Sequence, residues 1–401
     1  MSGRALELRV GMIGYGFMGA AHSYAWRAAA MAFDLGAVPV LAVLCGRDRV
    51  AVEHKAGRFG FAETATDWRT VVERDDIDVI DVCTPGDTHM AITVAALQAG
   101  KHVLVEKPLA NSVGEAETMV EAAQSARASG QRSMVGFNYR RVPALKLARD
   151  LVAEGRIGEL RHVRGAYLQD WLVDPAAPLA WRMRREMAGS GAIGDIGAHV
   201  IDLAQFLTGE RLNALSARTR TFVTERPLPG GAPGGPGGPR PATGEVTVDD
   251  AFVLHGEVGP ALATFEATRM ATGRRNSLRL ELNGSAGSLS FDFEAMNELS
   301  YYDATGPGRT NGFRRIIATE PEHPYMSAWW PPGHGLGYDH TFTNEIADFV
   351  RAVVGGTDPE PSLLEGLKVQ RVLAAVESSA TNGGAWTVVE RAEPQPGLGA
   401  V

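Results

Sequence analysis

The chain has 401 residues, 45% of them hydrophobic and 21% charged, with a formal net charge of −8. That composition fits a folded globular protein of about two domains. The acidic balance, without a basic block, excludes the usual profile of a nucleic-acid or anionic-membrane binder, and no apolar run is long enough to span a bilayer.

The opening MSGRALELRVG lacks the charged start and apolar core of a secretory signal, so a cytoplasmic protein is expected. Residues 8–13 read as a strand and 20–32 as a helix, with Gly14-x-Gly16-x-x-Gly19 between them. Strand, glycine-rich turn and helix in that order are the context of a dinucleotide fingerprint. Gly14 permits a tight turn, Gly16 lets backbone approach a pyrophosphate, and Gly19 lets helix and strand pack closely. The intervening Tyr15, Phe17 and Met18 belong to the same expected cofactor loop. Residues 38–44 read as a second strand, ending in Cys45, Gly46, Arg47 and Asp48. Gly46 stands where an acidic residue usually holds the ribose hydroxyls, and Arg47 follows it, a pattern that tolerates a 2′-phosphate. This leans to NADP, while Asp48 keeps NAD open. Arg47 reads equally well as a solvated loop charge.

Helices are expected over 51–59, 66–74, 90–99 and 113–129, and strands over 77–83, 103–105 and 133–136. Their alternation argues a parallel sheet with helices on both faces, whose ligands bind beyond the carboxyl ends of the strands. Four segments converge there: 14–19, 45–48, 84–89 and 106–108. Lys107, at a strand end and before Pro108, is the first chemical candidate, with pairing to Glu106 as the plainer alternative. Cys45 and Cys83 show no paired spacing and read as small buried residues.

A helix over 144–154 and a strand over 160–169 open the second half. Residues 170–185 are rich in tryptophan and arginine, suited to a sugar ring or a nicotinamide, or simply to a packed surface loop. Residues 189–209 form the second decisive stretch. In its helix Asp195, His199 and Asp202 fall at i, i+4 and i+7, so they share one stripe. A carboxylate one turn from an imidazole can set its orientation and proton affinity. A capping aspartate and a satisfied histidine are the plainer alternative, and with no companion ligand cluster no metal site is expected. Period-two strands are expected over 217–223, 246–258, 261–270, 277–282 and 287–293, forming a mainly antiparallel sheet. The Pro/Gly-rich 226–243 reads as a mobile insertion in it. Helices over 342–354 and 363–380, a strand over 386–389 and a Pro/Gly tail, 392–401, complete the chain.

Taken in order, Gly14-x-Gly16-x-x-Gly19, Glu106-Lys107-Pro108 and Asp195-x-Gly197-x-His199-x-x-Asp202 resemble the Gfo/Idh/MocA oxidoreductases. The likeness runs to about Val389, and the stretch 329–345 is similar to bacterial sugar dehydrogenases of that family. The resemblance implies an α/β protein. An N-terminal Rossmann domain with a parallel sheet, 1–138, is followed by a C-terminal α/β domain with a large open, mainly antiparallel sheet, 139–391. It implies NAD or NADP, a sugar, inositol or related polyol, and a homodimer or homotetramer built on the C-terminal sheet. Lys107, Asp195 and His199 match the family's catalytic residues; Thr84, Pro85 and His89 match its cofactor-side loop, and Trp181 and Arg182 its nicotinamide-side contact. With Gly46, Arg47, Glu106 and Lys107 these complete the expected cofactor set. Tyr139, Arg140, Asp170, Trp171, Trp330 and His340, beside Asp195 and His199, are the expected substrate contacts. The expected chemistry is hydride transfer at a secondary alcohol, with His199 as general base, Lys107 stabilising the alkoxide and Asp195 positioning the hydroxyl. Transient oxidation leading to glycoside cleavage and non-catalytic cofactor sensing are the rival readings.

Overall fold

The computed structural model describes residues 6–230 and 242–391. The first half alternates strand and helix: β1 (Leu6–Ile13), α1 (Phe17–Ala32), β2 (Ala37–Cys45), α2 (Arg49–Phe59), β3 (Glu63–Ala65), α3 (Trp68–Val72), β4 (Val79–Val82), α4 (His89–Gln98), β5 (His102–Glu106), α5 (Val113–Ala128) and β6 (Ser133–Gly136). The strands form a six-stranded sheet in the order β3-β2-β1-β4-β5-β6, every pairing parallel. β4 is buried along its whole length, as expected of a strand covered by helices on both faces. Local chemistry sets the helix starts. Asp48 and Asp67 cap α2 and α3, and Ser112 with Glu115 forms a capping box on α5. The sheet's strand order reverses between β1 and β4, which opens a crevice at their carboxyl ends.

The second half begins with α6 (Pro143–Ala153), β7 (Leu160–Leu168), a short α7 (Arg185–Ala188) and α8 (Ala198–Thr208). Then come β8 (Leu212–Arg220), β9 (Glu225–Pro227), β10 (Thr243–Glu245), β11 (Ala251–Val258), β12 (Ala261–Thr268), β13 (Ser277–Gly284), β14 (Gly287–Asp292), β15 (Glu298–Asp303) and β16 (Arg314–Ile317). α9 (Tyr338–Gly355), α10 (Leu363–Thr381) and β17 (Thr387–Val388) end the described chain. Nine of these strands make one sheet, β16-β15-β14-β13-β7-β12-β11-β8-β17. It is antiparallel except where β12 runs parallel to β7. The protein is thus an α/β molecule with a parallel Rossmann-like sheet and a large, mostly antiparallel one.

Several local expectations change. The helix expected over 66–74 shrinks to α3, and β15 and β16 were not anticipated. The strand expected over 246–258 starts only at Ala251, because Val246 and Val248 pack instead in a small cluster with Leu172, Leu179 and Met183. The stretch 226–243, read as a mobile insertion, has ordered ends in β9 and β10, which pair with each other. Arg226 is fully buried and donates to the main-chain oxygens of Leu172 and Asp174. Residues 231–241 lie outside the described residues, as does the tail from 392 onward.

Two packings fix the halves relative to one another. α9 lies on α1, and its Phe342, Ile346, Phe349 and Val350 share one apolar core with Val10, Met12 and Trp26. On the other side α10 contacts both α5 and β8. A single apolar core there runs from Ile80 and Val105 of the first sheet to Val200 of α8 and Phe265 of the second. Among the described residues no helix is long and apolar enough to cross a membrane.

Candidate active site

Between the two sheets lies a cleft of about 730 Å³, open to solvent and lined from both halves. On the first-sheet side β1 turns through Gly14 into α1. Gly14 has φ +106°, and a Cβ on it would lie 2.6 Å from the Cys83 carbonyl oxygen. A Cβ on Gly19 would lie 2.2 Å from the Gly14 carbonyl oxygen, so this turn closes only with hydrogen at both positions. Gly16 faces open space and caps α1 without a side-chain bond, so the start of the helix, which lines the cleft, keeps N–H groups that no capping side chain takes up. A negatively charged pyrophosphate fits this cradle by charge and by room. Tyr15, Phe17 and Met18 line the cleft beside it, and Gly19 lies behind, against Gly14.

The adenosine end of such a ligand would meet the end of β2. Gly46 sits under the Tyr15 ring, where a Cβ would come within 1.9 Å of it. Arg47 lines the cleft and is exposed. The Asp48 side chain accepts from the Ala51 N–H as the cap of α2, at 2.9 Å, and is not part of the lining. Thr84, Pro85 and His89 line the next loop. The His89 ring is held between the main-chain oxygens of Pro108 and Thr84, at 3.0 and 2.9 Å.

Lys107 follows β5 and precedes a cis peptide to Pro108. Its Nζ donates to the Asp195 main-chain oxygen at 2.6 Å and lies 3.7 Å from the carboxylate Oδ1. Asp195 sits in a single π-helical turn, Ile193–Gly197, that runs into α8. Burial pushes its carboxyl up, but Lys107, Arg269 and Arg182 together outweigh that and hold it below the usual range. His199, one turn further on, is buried among Phe137, Tyr139 and Tyr167. Burial, and then the Lys107 charge, hold its imidazole well below its ordinary value, so it is neutral at pH 7. Its Nδ1 has no hydrogen-bond partner. A neutral imidazole, an ammonium and a carboxylate therefore line one cleft, a set able to take a proton from a hydroxyl and steady the oxygen left behind.

Behind Lys107 is a buried polar knot. Glu106 accepts from the Lys107 N–H at 3.1 Å and meets Nε2 of His22 at 3.0 Å. The other His22 nitrogen lies 3.0 Å from Asp81, which also accepts from Trp26 at 2.7 Å. Burial lowers the proton affinity of His22, but Asp81 overrides this and leaves it well above the ordinary value. His22, Asp81 and Cys83 are grouped closely enough to hold a cation, yet their donor atoms already contact one another. Cys45 and Cys83 are free and buried.

The expected substrate residues divide. Tyr139, Trp171, Asp195 and His199 line the cleft, as do Trp181 and Arg182 of the expected cofactor set. Arg140 does not. It is buried and donates to Asp202 at 2.8 Å, with Glu365 beyond, so the third member of the expected Asp195–His199–Asp202 stripe is spent on an ion pair away from the cleft. Asp170 accepts from the Gly273 N–H and pairs with Arg275 outside the lining. Trp330 is exposed against Trp329. His340 sits in the first turn of α9, where its Nδ1 accepts from the Gly337 N–H. Both are absent from the cleft wall.

Other lining residues were not anticipated: Trp68, Asn138, Tyr167, Gln169 and Tyr338. Tyr167 lies next to the last residue of β7 and Gln169 just past it, and that position at the carboxyl end of a strand was the available signal. Tyr139, Tyr167, Asn276 and Gln169 form one hydrogen-bonded chain along this wall.

Comparison with known proteins places the chain by family and fold. Residues 8–137 match the family model for an oxidoreductase family with an NAD-binding Rossmann fold, and residues 145–290 the GFO/IDH/MocA C-terminal domain. The chain is 41% identical to levoglucosan dehydrogenase of Pseudarthrobacter phenanthrenivorans, over 93% of this chain and 96% of that one. Among solved structures, an oxidoreductase domain protein from Kribbella flavida superimposes with a TM-score of 0.92 at 59% identity, covering 96% of this chain and all of that one. A levoglucosan dehydrogenase complex with NADH and levoglucosan superimposes with a TM-score of 0.89 at 39% identity, with 96% of this chain and 100% of that chain covered.

Proposed function

Because the chain belongs to the Gfo/Idh/MocA oxidoreductases, NAD-binding dehydrogenases and their kin, we propose that it transfers hydride between a nicotinamide dinucleotide and a CH–OH group of a sugar or related cyclic polyol. The observation that carries this is the meeting of Lys107, Asp195 and His199 in the same cleft as the Gly14–Gly19 turn. The residues suit the cofactor: an open Gly16 at a helix start for the pyrophosphate, and Arg47 rather than a carboxylate at the end of β2. That second feature favours NADP or dual use, whereas levoglucosan dehydrogenase is seen in complexes with NADH.

The nicotinamide, when bound, supplies the hydride acceptor. His199 takes the hydroxyl proton, a task its neutral state allows at pH 7. Lys107 steadies the developing negative oxygen, and Asp195 holds the ammonium and the hydroxyl in place. Trp171 offers an aromatic face to a sugar ring, with Gln169 and Tyr139 as polar partners on the same wall. The open face of the nine-stranded sheet serves as the contact of a homodimer or homotetramer.

The test is a panel of levoglucosan, L-sorbose and inositols, the sugars named by the relatives, assayed with NAD and NADP in parallel. Reduced cofactor should accumulate with at least one sugar and with NADP at least as readily as NAD. Tight dinucleotide binding without turnover across the panel overturns the reading.

A further inference from the structure

Arg269 stands just past β12 and is fully buried. Among the described residues no carboxylate forms a hydrogen-bonded fork with it. Its Nη2 donates to the Asp249 main-chain oxygen at 2.9 Å and its Nη1 to the Arg182 main-chain oxygen at 3.3 Å, while Nε has no partner. A guanidinium out of water needs a counter-charge. Here that charge is Asp195, whose Oδ2 lies 3.5 Å from Arg269 Nη1. The opposite oxygen, Oδ1, lies 3.7 Å from Lys107 Nζ. One carboxylate is thus shared between two cations from different halves of the molecule.

The turn that carries Asp195 is tied to the same place. The Asp249 carboxylate accepts the Gly191 and Ile193 N–H groups at 2.7 and 2.9 Å, and its main-chain oxygen is the one Arg269 holds. A Cβ on Gly191 would fall 1.7 Å from that oxygen, so the contact leaves no slack. The Arg269 guanidinium also lies 5.6 Å from the centre of the Trp171 ring at the cleft wall. A planar side chain with a fork of donors can span these three partners at once, and an ammonium cannot.

We propose that Arg269 is a positioning residue: it draws the Asp195 carboxylate toward the second sheet, so that Lys107 is left with one main-chain acceptor and a free direction toward the substrate oxygen. This rests on the dehydrogenase reading for what Lys107 does, but the placement of Asp195 can be read without turnover. The charged groups facing Asp195 are Lys107, Arg269 and Arg182, with His199 on the same helix. Asp249 and Arg226 complete the charges around Arg269.

The experiment follows the Asp195 side-chain carbon by NMR in the full chain labelled at aspartate, assigned by its loss in Asp195→Asn. In Arg269→Gln its titration midpoint should rise by about one unit. In steady-state assays kcat should fall roughly tenfold or more with KM for the dinucleotide changed less than about twofold, and the acid limb of the pH profile should move up with the titration. Arg269→Lys, which keeps the charge but not the fork, should restore the midpoint and only part of kcat. It also serves if the glutamine variant does not fold. In that case the lysine variant must still lower kcat at least about threefold, because it cannot span Asp249, Arg182 and Asp195 together. An unmoved midpoint in Arg269→Gln, or wild-type kcat in Arg269→Lys, overturns the proposal. A wild-type protein that oxidises none of the sugars counts against the dehydrogenase reading instead, and the midpoint still decides the role of Arg269.

Discussion

The imidazole of His199 is held neutral by two influences, burial first and the Lys107 charge second. Neither is a property of the histidine itself. If it takes the hydroxyl proton, His199→Ala should lower kcat by roughly a hundredfold or more while the dissociation constant for the dinucleotide stays close to wild type. Rapid-mixing turnover beside equilibrium titration of the cofactor would show whether the two separate. At this scale the glycines of the turn, Lys107 and His199 were legible in sequence, because each acts through a local demand: a positive φ, a strand end, a helical turn. Arg140 and Asp202 were not. Asp202 lies in the Asp195–His199 stretch and Arg140 just past β6, yet they pair with each other across 62 positions. Local sequence carries no information about which distant partner will neutralise a charge.

At the scale of elements, α9 brings Glu345 into the interior facing the buried knot of His22, Asp81 and Glu106, and Arg141. Both Glu345 carboxyl oxygens lack a hydrogen-bond partner. Burial raises its carboxyl to about 8 from an ordinary value of 4.5, with Arg141 opposing. Between those limits the folded chain binds a proton that the unfolded chain releases, so stability falls as pH rises through that window. His22, also raised, acts in the same direction above its ordinary value of 6.5. Glu345→Gln removes only the first contribution. Its melting temperature should match wild type near about pH 4 and exceed it by several degrees near about pH 9. A difference independent of pH would mean that the carboxyl is not the group that titrates. The Asp195 turn shows what periodicity misses: the helical stripe anticipated Asp195 and His199 one turn apart, but the turn is π-helical and Asp202 leaves the cleft.

Over the whole molecule, β11 and β12 alternate buried and exposed residues, so one face of the large sheet packs on helices and the other is open. Val253 and Leu262 on that open face are 51% and 63% exposed. These two apolar side chains stand among charged and polar neighbours such as Arg164, Glu266 and Arg279, and a wide open sheet face of this mixed kind suits a second copy of the chain. The double variant Val253→Glu and Leu262→Glu should therefore shift the mass measured by light scattering from a dimer or tetramer to a monomer. An unchanged assembly would place the contact elsewhere, and a monomeric wild type would exclude it.

The sequence by itself determined the strand–turn–helix alternation, the glycine cradle and the residue types proposed for the chemistry, because these depend on side chains within a few positions of one another. Only the tertiary structure decided that α9 closes the far side of α1, that the two sheets share one apolar core, and that Arg269 shares the Asp195 carboxylate with Lys107. An amphipathic helix states that it needs a partner surface without stating which. A buried charge likewise states only that it needs an opposite charge. The chain's path through space supplies both answers.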